Sequence, residues 1–216
     1  MENLKIIKKI VRFQVDFISI KLDLHKLKKF IDLIFIFSEI IISKLDKLLP
    51  YYLDYYSKMV EKEIVLANIS ERDKILHIGG GTIPATAMLY AQKTRAKIIA
   101  IDKNLNSIKK AKKLVFKNNL SSNIIIEYGN ALNYQFKNFN LVVISMGINP
   151  YKELLYNISK SIDKDTRIVL RTTSDFDGNI TEDDEFLREI FDIKDIVRHE
   201  RNGLLVSVLL LKKYKQ

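Results

Sequence analysis

Apolar residues follow two different rhythms along the chain, and the change falls near residue 70. Before it, apolar residues recur at helical spacing in three stretches, at 4–20, 24–49 and 51–66. Pro50 marks the break between the second and third of these helices. After a polar segment at 68–73, short β-branched runs alternate with amphipathic ones. We therefore predict a helical N-terminal domain at 1–70 and an α/β domain at 71–216.

Five alternating strand and helix units make up most of the predicted α/β domain. The strands are expected at 75–78, 97–101, 123–127, 141–145 and 167–172, and the helices at 84–94, 106–118, 151–162 and 182–191. Two β-rich runs, 193–199 and 204–211, end the chain, and Asn202-Gly203 between them is a strong hairpin signal. The pattern predicts a parallel sheet that closes with an antiparallel hairpin.

A glycine turn, Gly79-Gly80-Gly81, follows the first predicted strand and opens the first helix of that domain. Glycine lets the backbone approach a ligand closely. Asp102 lies at the tip of the second strand, 21 residues after Gly81, where a carboxylate can accept both hydroxyls of a ribose. These residues predict an adenosine-containing ligand. The alternatives are a tight turn without a ligand and an aspartate that only caps the next helix.

Pro84 occupies the place where the third glycine of a dinucleotide motif would stand. A pyrophosphate needs an open, glycine-lined helix N-terminus. The proline therefore favours a ligand without phosphates, such as S-adenosylmethionine, over NAD.

The terminal hairpin makes the chain resemble the class I S-adenosylmethionine-dependent transferases, since an ordinary dehydrogenase continues with a parallel sixth strand. This resemblance implies a Rossmann-like, seven-stranded sheet in the order 3-2-1-4-5-7-6. It also implies cofactor contacts from two more loops. In the first, Asn130 and Ala131 would reach the adenine, although a simple turn is the alternative. In the second, Ser145 and Met146 would exclude water from the sulfonium, although a plain linker is the alternative.

Candidate residues for the reaction lie on strand five and on the last N-terminal helix. Arg171, at the end of the strand, is suited either to clamping a carboxylate or to a surface salt bridge. Tyr56 and Glu63 are seven residues apart and share one helix face, so a phenol and a carboxylate there can grip and deprotonate an amine. The alternative is that the tyrosines serve only for packing between domains; these are Tyr51, Tyr52, Tyr55 and Tyr56.

Together these pieces resemble the nicotianamine synthase family, including its shorter relatives that make opine metallophores. The family's turn Gly-Ser-Gly-Pro-Leu-Pro is similar to residues 79–84, which end in Pro84. Its Pro-Tyr-aromatic segment leading to a glutamate is similar to 50–63, and its Arg-Ser segment with a nearby glycine is similar to 171–173 with Gly178. Thr82 and Thr172 depart from the family pattern, and the glutamate register also admits Glu61 or Lys62.

The resemblance implies transfer of a 3-amino-3-carboxypropyl group from S-adenosylmethionine to an amine or amino acid, with release of methylthioadenosine. Glu63 assisted by Tyr56 would remove the proton, and the N-terminal helices would form a lid. Tyr52 and Arg171 would bind the substrate. The implied cofactor residues are Gly79, Gly81, Thr82, Pro84, Asp102, Asn130, Ala131, Ser145 and Met146. The alternative is a methyltransferase of the same fold that acts on a small molecule or RNA.

Composition adds limits to the class of partner. The net charge of +10 suits nucleic acid or an anionic membrane, but the lysines are spread along the chain and we see no arginine-rich arm. The absence of cysteine excludes disulfides and thiolate metal sites, and the three histidines show no ligand spacing. His77 is expected to be a hydrogen-bonded core residue. The apolar stretch 30–43 is too short to span a bilayer, and no secretory signal opens the chain. We expect a cytoplasmic protein without a metal site, and a homodimer stays open.

Overall fold

A computed structural model describes residues 48–175, 180, 184–199 and 205–213. Outside these residues lie the predicted helix at 4–20, nearly all of the helix at 24–49 with its apolar stretch 30–43, Gly178 and the predicted turn at 200–203.

Every element that the sequence predicts within the described residues is present, and its ends fall within two residues of the predicted ones. A short 3-10 helix at Ala131–Asn133 is an addition that the sequence pattern did not predict. Pro50 lies in the first turn of α1, where its missing N–H costs no hydrogen bond. The elements are α1 Leu49–Leu66, β1 Lys74–Ile78, α2 Ala85–Thr94, β2 Lys97–Asp102, α3 Leu105–Lys117, β3 Ile124–Tyr128, β4 Leu141–Ile144, α4 Tyr151–Ser161, β5 Arg167–Thr173, α5 Asp184–Ile190, β6 Phe191–Arg198 and β7 Leu205–Lys212.

The seven strands form one mixed sheet in the order β3-β2-β1-β4-β5-β7-β6, which confirms the predicted topology. β3, β2, β1, β4 and β5 run parallel to one another. β7 pairs antiparallel with both β5 and β6. The carboxyl ends of the five parallel strands therefore meet at one edge of the sheet, where ligands of open α/β folds bind.

Two hydrophobic cores cover the two faces of the sheet, because alternate strand residues point to opposite sides. Residues 75, 143 and 169 join one core with α1, α2 and α3. Residues 76, 142 and 168 join the other with α4 and α5. All four residues of β4 are buried, as expected for a central parallel strand.

The described part of the predicted N-terminal domain shares a core with the sheet. Leu49, Tyr52 and Val60 of α1 are buried in the same cluster as Met88 and Ala91 of α2. α1 therefore packs as an outer layer of the α/β domain. The domain boundary at residue 70 and the lid formed by residues 1–70 stay predictions. None of the helices in the described ranges is long and apolar enough to cross a membrane.

Candidate active site

The glycine turn after β1 is held in a conformation that favours glycine. Gly79 and Gly81 have φ angles of +82° and +66°. The N–H groups of Gly79 and Gly80 both donate to the carbonyl of Ile101, at 3.0 Å each. A Cβ on Gly79 would lie 2.7 Å from the Cδ1 atom of Ile148. The turn is therefore fixed against the end of β2 on one side and the loop after β4 on the other.

Asp102 holds this turn through its carboxylate. Its Oδ2 accepts from the N–H of Gly81 at 2.9 Å, and its Oδ1 accepts from the N–H of Asn104 at 2.8 Å. The residue that caps α3 is Asn104, whose side chain accepts from the N–H groups of Asn106 and Ser107. The helix cap that the sequence offered as an alternative role for Asp102 thus belongs to Asn104.

Thr82 and Pro84 complete the turn and begin α2. Thr82 is buried, and its Oγ1 lies 3.2 Å from the Oγ of Ser107 on α3. Pro84 is the N-cap of α2, one residue before the helix begins at Ala85. The proline thus takes the helix entrance at which a dinucleotide fold would receive a pyrophosphate.

The loops after β3 and β4 lie at the same edge. The Oδ1 of Asn130 accepts from the N–H of Leu132 at 3.1 Å, which caps the short 3-10 helix, while Ala131 packs against the neighbouring core. Ser145 donates to the carbonyl of Gly79 at 3.2 Å. Met146 is exposed at the surface. The contacts of these residues with a cofactor stay predictions.

A buried ion pair joins α1 to β5. Glu63 is 0% exposed and Arg171 is 7% exposed. The Nε of Arg171 donates to Oε1 of Glu63 and its Nη2 donates to Oε2, both at 2.8 Å. Two parallel N–H···O bonds of this kind form the strong, planar arrangement that a guanidinium makes with a carboxylate. Arg171 is therefore neither on the surface nor unpaired.

Two hydroxyl groups complete the shell of the Glu63 carboxylate. Tyr90 of α2 donates to Oε2 at 2.7 Å, and Ser207 of β7 donates to Oε1 at 2.6 Å. The carboxylate therefore accepts four hydrogen bonds, which is its full capacity. Burial raises the pKa of Glu63, but the charge of Arg171 and these bonds more than offset it and lower the pKa to about 2. Glu63 is consequently an anion throughout the physiological range.

The ion pair also contacts the helix that the glycine turn opens. The Nη1 of Arg171 donates to Oγ1 of Thr86 at 2.9 Å, and Thr86 lies in the first turn of α2. On β1, Nε2 of His77 lies 2.9 Å from the Oγ of Ser145, which in turn bonds Gly79. The hydrogen bond to Thr86 and the charge that Arg171 exerts on His77 therefore relate the buried pair to α2 and β1, the two elements that flank the predicted cofactor turn.

Two neutral histidines flank the pair. Burial, with the charge of Arg171 adding to it, lowers the pKa of His77 to about 3. Burial lowers the pKa of His199 to about 4, and its Nε2 lies 2.8 Å from Ser207. The prediction of His77 as a hydrogen-bonded core residue is confirmed. Within the described residues, the Nδ1 atom of each ring is buried without a hydrogen-bond partner.

The structure distinguishes the three candidates for the glutamate position on α1. Glu61 is exposed and pairs with Lys93 at 2.7 Å, and Lys62 donates to the carbonyl of Arg198. Of the three residues that the family register admitted, Glu63 is therefore the one that enters the core. The proton-accepting role of Glu63 stays a prediction.

A phenol that bonds Glu63 is that of Tyr90, and the assisting role of Tyr56 stays a prediction. Tyr52 is buried and its hydroxyl donates to that of Tyr56 at 3.4 Å, with the two rings 4.9 Å apart. Tyr55 lies against Tyr56 edge to face. These contacts join residues of α1 alone, so packing between domains and the substrate-binding role of Tyr52 both stay predictions.

Sequence reasoning missed four members of the polar region around Glu63 and Arg171: Thr86, Tyr90, His199 and Ser207. One signal was present in the strands. Arg171 directly follows an apolar run, Ser207 interrupts one, and the sheet register places the two directly opposite each other. Polar residues at matched inward positions of neighbouring strands indicate a buried polar site rather than a surface. Among the described residues, no group of three His, Asp or Glu side chains is placed to hold a metal ion.

The sheet order, the glycine turn and the acid at the end of β2 define the Rossmann-like fold of class I S-adenosylmethionine-dependent methyltransferases. An RNA methyltransferase from Salinibacter ruber in complex with S-adenosyl-L-homocysteine is similar over 74% of this chain and 94% of its own, with 15% identity and a TM-score of 0.60. A putative S-adenosyl-L-methionine-dependent methyltransferase from Methanococcus maripaludis is similar over 84% of this chain and 94% of its own, with 15% identity and a TM-score of 0.64.

The particular family follows from the sequence. The model of the nicotianamine synthase protein family matches residues 9–214, and the chain belongs to that family. The structure of MtNAS in complex with MTA and tNA is similar over 76% of this chain and 62% of its own, with 19% identity and a TM-score of 0.67. A glutamate-to-glutamine mutant of MtNAS in complex with S-adenosylmethionine gives a TM-score of 0.64 at 19% identity, over 73% of this chain and 61% of its own. The chain thus spans about three fifths of MtNAS. A search of the curated proteins finds no match.

Proposed function

We propose that the protein transfers the 3-amino-3-carboxypropyl group of S-adenosylmethionine to an amine and releases methylthioadenosine. The observation that carries this proposal is the buried Glu63 carboxylate, which Arg171 and Thr86 connect to the start of α2. Cofactor binding by the glycine turn and Asp102 does not itself require this buried acid. Membership of the nicotianamine synthase family and the presence of MTA in the MtNAS complex support the same reaction.

S-adenosylmethionine suits the cofactor turn because the ligand has a ribose and a base but no phosphate. Asp102 uses one acceptor position of each oxygen on backbone N–H groups, and a carboxylate has about four such positions, so it retains capacity for ribose hydroxyls. Gly79 and Gly81 shape the backbone of the site, together with Thr82 and Pro84. The loops after β3 and β4 supply the remaining contacts through Asn130, Ala131, Ser145 and Met146.

The proposed transfer is a single displacement at the methylene carbon next to sulfur. The lone pair of the amine forms the new N–C bond, the C–S bond breaks, and its electron pair stays on sulfur in methylthioadenosine. All three carbons on the sulfonium are electrophilic, and the one held in line with the amine reacts. The proton released by nitrogen goes to Glu63, with Tyr90 as the neighbouring phenol. Arg171 binds a substrate carboxylate.

Identification of the nucleoside by-product tests the proposal. The protein is incubated with S-adenosylmethionine and a panel of amines and amino acids, and the products are separated and weighed by mass spectrometry. Methylthioadenosine is expected from the wild type and from the exposed-glutamate control Glu61→Gln. A strong loss is expected from Glu63→Gln while the heat of S-adenosylmethionine binding is retained. S-adenosylhomocysteine as the only by-product would refute aminocarboxypropyl transfer.

That last outcome would favour the second candidate, a methyltransferase of the same fold. The observations in its favour are the structural similarity to an RNA methyltransferase and the net charge of +10. Such an enzyme shares the cofactor residues and differs in the carbon that is attacked. Binding to RNA that weakens steeply with salt, together with S-adenosylhomocysteine formation, identifies it.

A further inference from the structure

The four hydrogen bonds to Glu63 raise a difficulty for a base at this position. A carboxylate accepts a proton through a free lone pair, and all of its acceptor positions here are taken by Arg171, Tyr90 and Ser207. Arg171 alone supplies two of the four bonds, and it is the one charged residue among the described donors to Glu63. The residue that blocks Glu63 is therefore also the residue best suited to bind a substrate carboxylate.

Arg171 is held in place by a contact that does not involve Glu63. Its Nη1 bonds Thr86 on α2, so part of the guanidinium is held independently of Glu63. The two N–H groups that hold Glu63, on Nε and Nη2, present the fork that any second carboxylate would match. The bond to Thr86 places this guanidinium beside the first turn of α2, the helix that follows the glycine turn.

We propose that a substrate carboxylate displaces Glu63 from Arg171 and thereby frees Glu63 to take the proton from the attacking amine. The proposal rests on the proposed function and deepens it, because it restricts the acceptor to amines that carry a carboxylate, such as amino acids. An amine without that group leaves the ion pair closed.

The electrostatic consequence follows from the causes that act on Glu63. Burial is the largest of them and raises the pKa, while Arg171 lowers it by charge and by hydrogen bonding. Once a substrate carboxylate neutralises Arg171, burial dominates and the pKa rises. The groups that remain around Glu63 are the hydroxyls of Tyr90 and Ser207 and the neutral rings of His77 and His199. None of them replaces the lost positive charge. Tyr56 on α1 also interacts electrostatically with Arg171 and raises the pKa of the guanidinium.

The proposed transfer accounts for every proton. The amine loses one proton as its N–C bond forms, Glu63 gains it, and the proton then leaves to solvent as product departs and the ion pair closes again. While the pair is closed, Glu63 cannot activate water against the sulfonium. The ion pair between Glu63 and Arg171 thus makes Glu63 available as a base only when an acceptor is bound, and it protects S-adenosylmethionine from hydrolysis.

Carbon-detected NMR of protein labelled with [δ-13C]glutamate tests the exchange directly. The Glu63 signal is assigned by its absence from Glu63→Gln, and Glu61→Gln serves as the control for assignment. The protein is titrated with acid alone, with S-adenosylhomocysteine, and with methylthioadenosine, which is the same nucleoside without a carboxylate. Two further samples contain S-adenosylhomocysteine together with a possible acceptor. In the amino-acid arm the acceptor is one of the twenty common amino acids. In the amine arm it is the matching amine, which lacks the α-carboxylate.

The expected result is a rise in the pKa of Glu63 of about 1–3 units in the amino-acid arm, the range by which a neighbouring opposite charge shifts a carboxyl group. The methylthioadenosine and amine arms are expected to leave it unchanged. A rise with S-adenosylhomocysteine alone would assign the exchange to the carboxylate of the cofactor instead of the acceptor, and would overturn the restriction on the acceptor.

Turnover provides the second readout. Methylthioadenosine release is expected with amino acids and not with the matching amines, and an acidic limb due to Glu63 is expected in kcat, which reports the complex, but not in kcat/KM. Methylthioadenosine release while the Glu63 signal stays unchanged in every arm would overturn the exchange and leave the transfer intact. Absence of methylthioadenosine from all arms would overturn the proposed function and the exchange with it.

Discussion

Replacing Glu63 by glutamine removes the negative half of the buried pair without changing the size of the side chain. Arg171 then keeps its charge at 7% exposure with no anion beside it. A buried charge that loses its partner typically costs about 3–5 kcal/mol. Glu61→Gln is the matched control on the same helix, since Glu61 is exposed and its bond to Lys93 lies at the surface. A surface pair of that kind contributes roughly 0–1 kcal/mol.

The pKa of Glu63 gives a second value for the stability that the ion pair contributes, and it predicts how that contribution depends on pH. Folding lowers this pKa from 4.5 to about 2, which corresponds to about 3 kcal/mol of stability. Because the folded value is depressed, this stabilisation is fully present above pH 4.5 and is lost as the pH falls towards 2. About 2 kcal/mol of it is expected to be gone at pH 3. Glutamine does not titrate, so the difference between wild type and Glu63→Gln should shrink over that range.

Urea unfolding of the three proteins at pH 7, 4 and 3 measures the difference. Glu63→Gln is expected to lose about 3 kcal/mol at pH 7 and only about 1 kcal/mol at pH 3, relative to wild type at the same pH. Glu61→Gln is expected to stay within about 0.5 kcal/mol of wild type throughout. A Glu63→Gln penalty that is the same at pH 7 and pH 3 would refute the assignment of Glu63 as a buried anion.

Three further expectations concern the turn and the phenol. Asp102→Asn removes a charged acceptor, and calorimetry should find S-adenosylmethionine binding about 10- to 150-fold weaker, as loss of a hydrogen bond to a charged group implies; unchanged affinity would exclude a ribose contact. Gly79→Ala forces a Cβ to 2.7 Å from Ile148 at φ +82°, whereas the Cβ of Gly80→Ala meets Ala100 at an ordinary 3.4 Å. Thermal melts should therefore lose stability of about 1–3 kcal/mol only in the former, and equal melting temperatures would contradict the strained turn. Tyr90→Phe removes one of the two hydrogen bonds to Oε2 of Glu63 and leaves the bond from Arg171. A hydrogen bond to a charged group is worth about 1.5–3 kcal/mol, so a stability loss of that size is expected, with a fall in methylthioadenosine release; full activity would remove Tyr90 from the site.

The topology was predictable from the sequence because each of its elements has a local sequence pattern. Each strand is a short apolar run, each helix has one apolar face, and a distinct turn signal separates the two terminal β-rich runs. The glycine turn and Asp102 were predictable for the same reason, since they lie close in sequence and a common supersecondary unit brings them together. In the structure, the two are joined by one hydrogen bond between residues 21 apart.

The buried polar region could be predicted only in part. Glu63 and Arg171 were recognised as chemically unusual, but their pairing spans 108 residues and depends on how α1 crosses the sheet. The spacing of seven residues related Glu63 only to Tyr56 on its own helix, because a helical period predicts contacts within one helix. Tyr90 reaches Glu63 from α2, and Ser207 reaches it from a strand 144 residues away. Tertiary packing decided both contacts.

Stability alone does not account for this arrangement. Burying two charges costs several kcal/mol of desolvation for each ion, and well-packed apolar residues of similar volume often do as well or better. The chain nevertheless places a complete set of donors around Glu63 from three separate elements, α2, β5 and β7. The same arginine bonds a threonine at the start of the helix that the cofactor turn opens. An ion pair that only held α1 to the sheet would not need to lie at that edge. Its position is explained if the carboxylate is kept charged, dry and occupied until a substrate takes over the guanidinium.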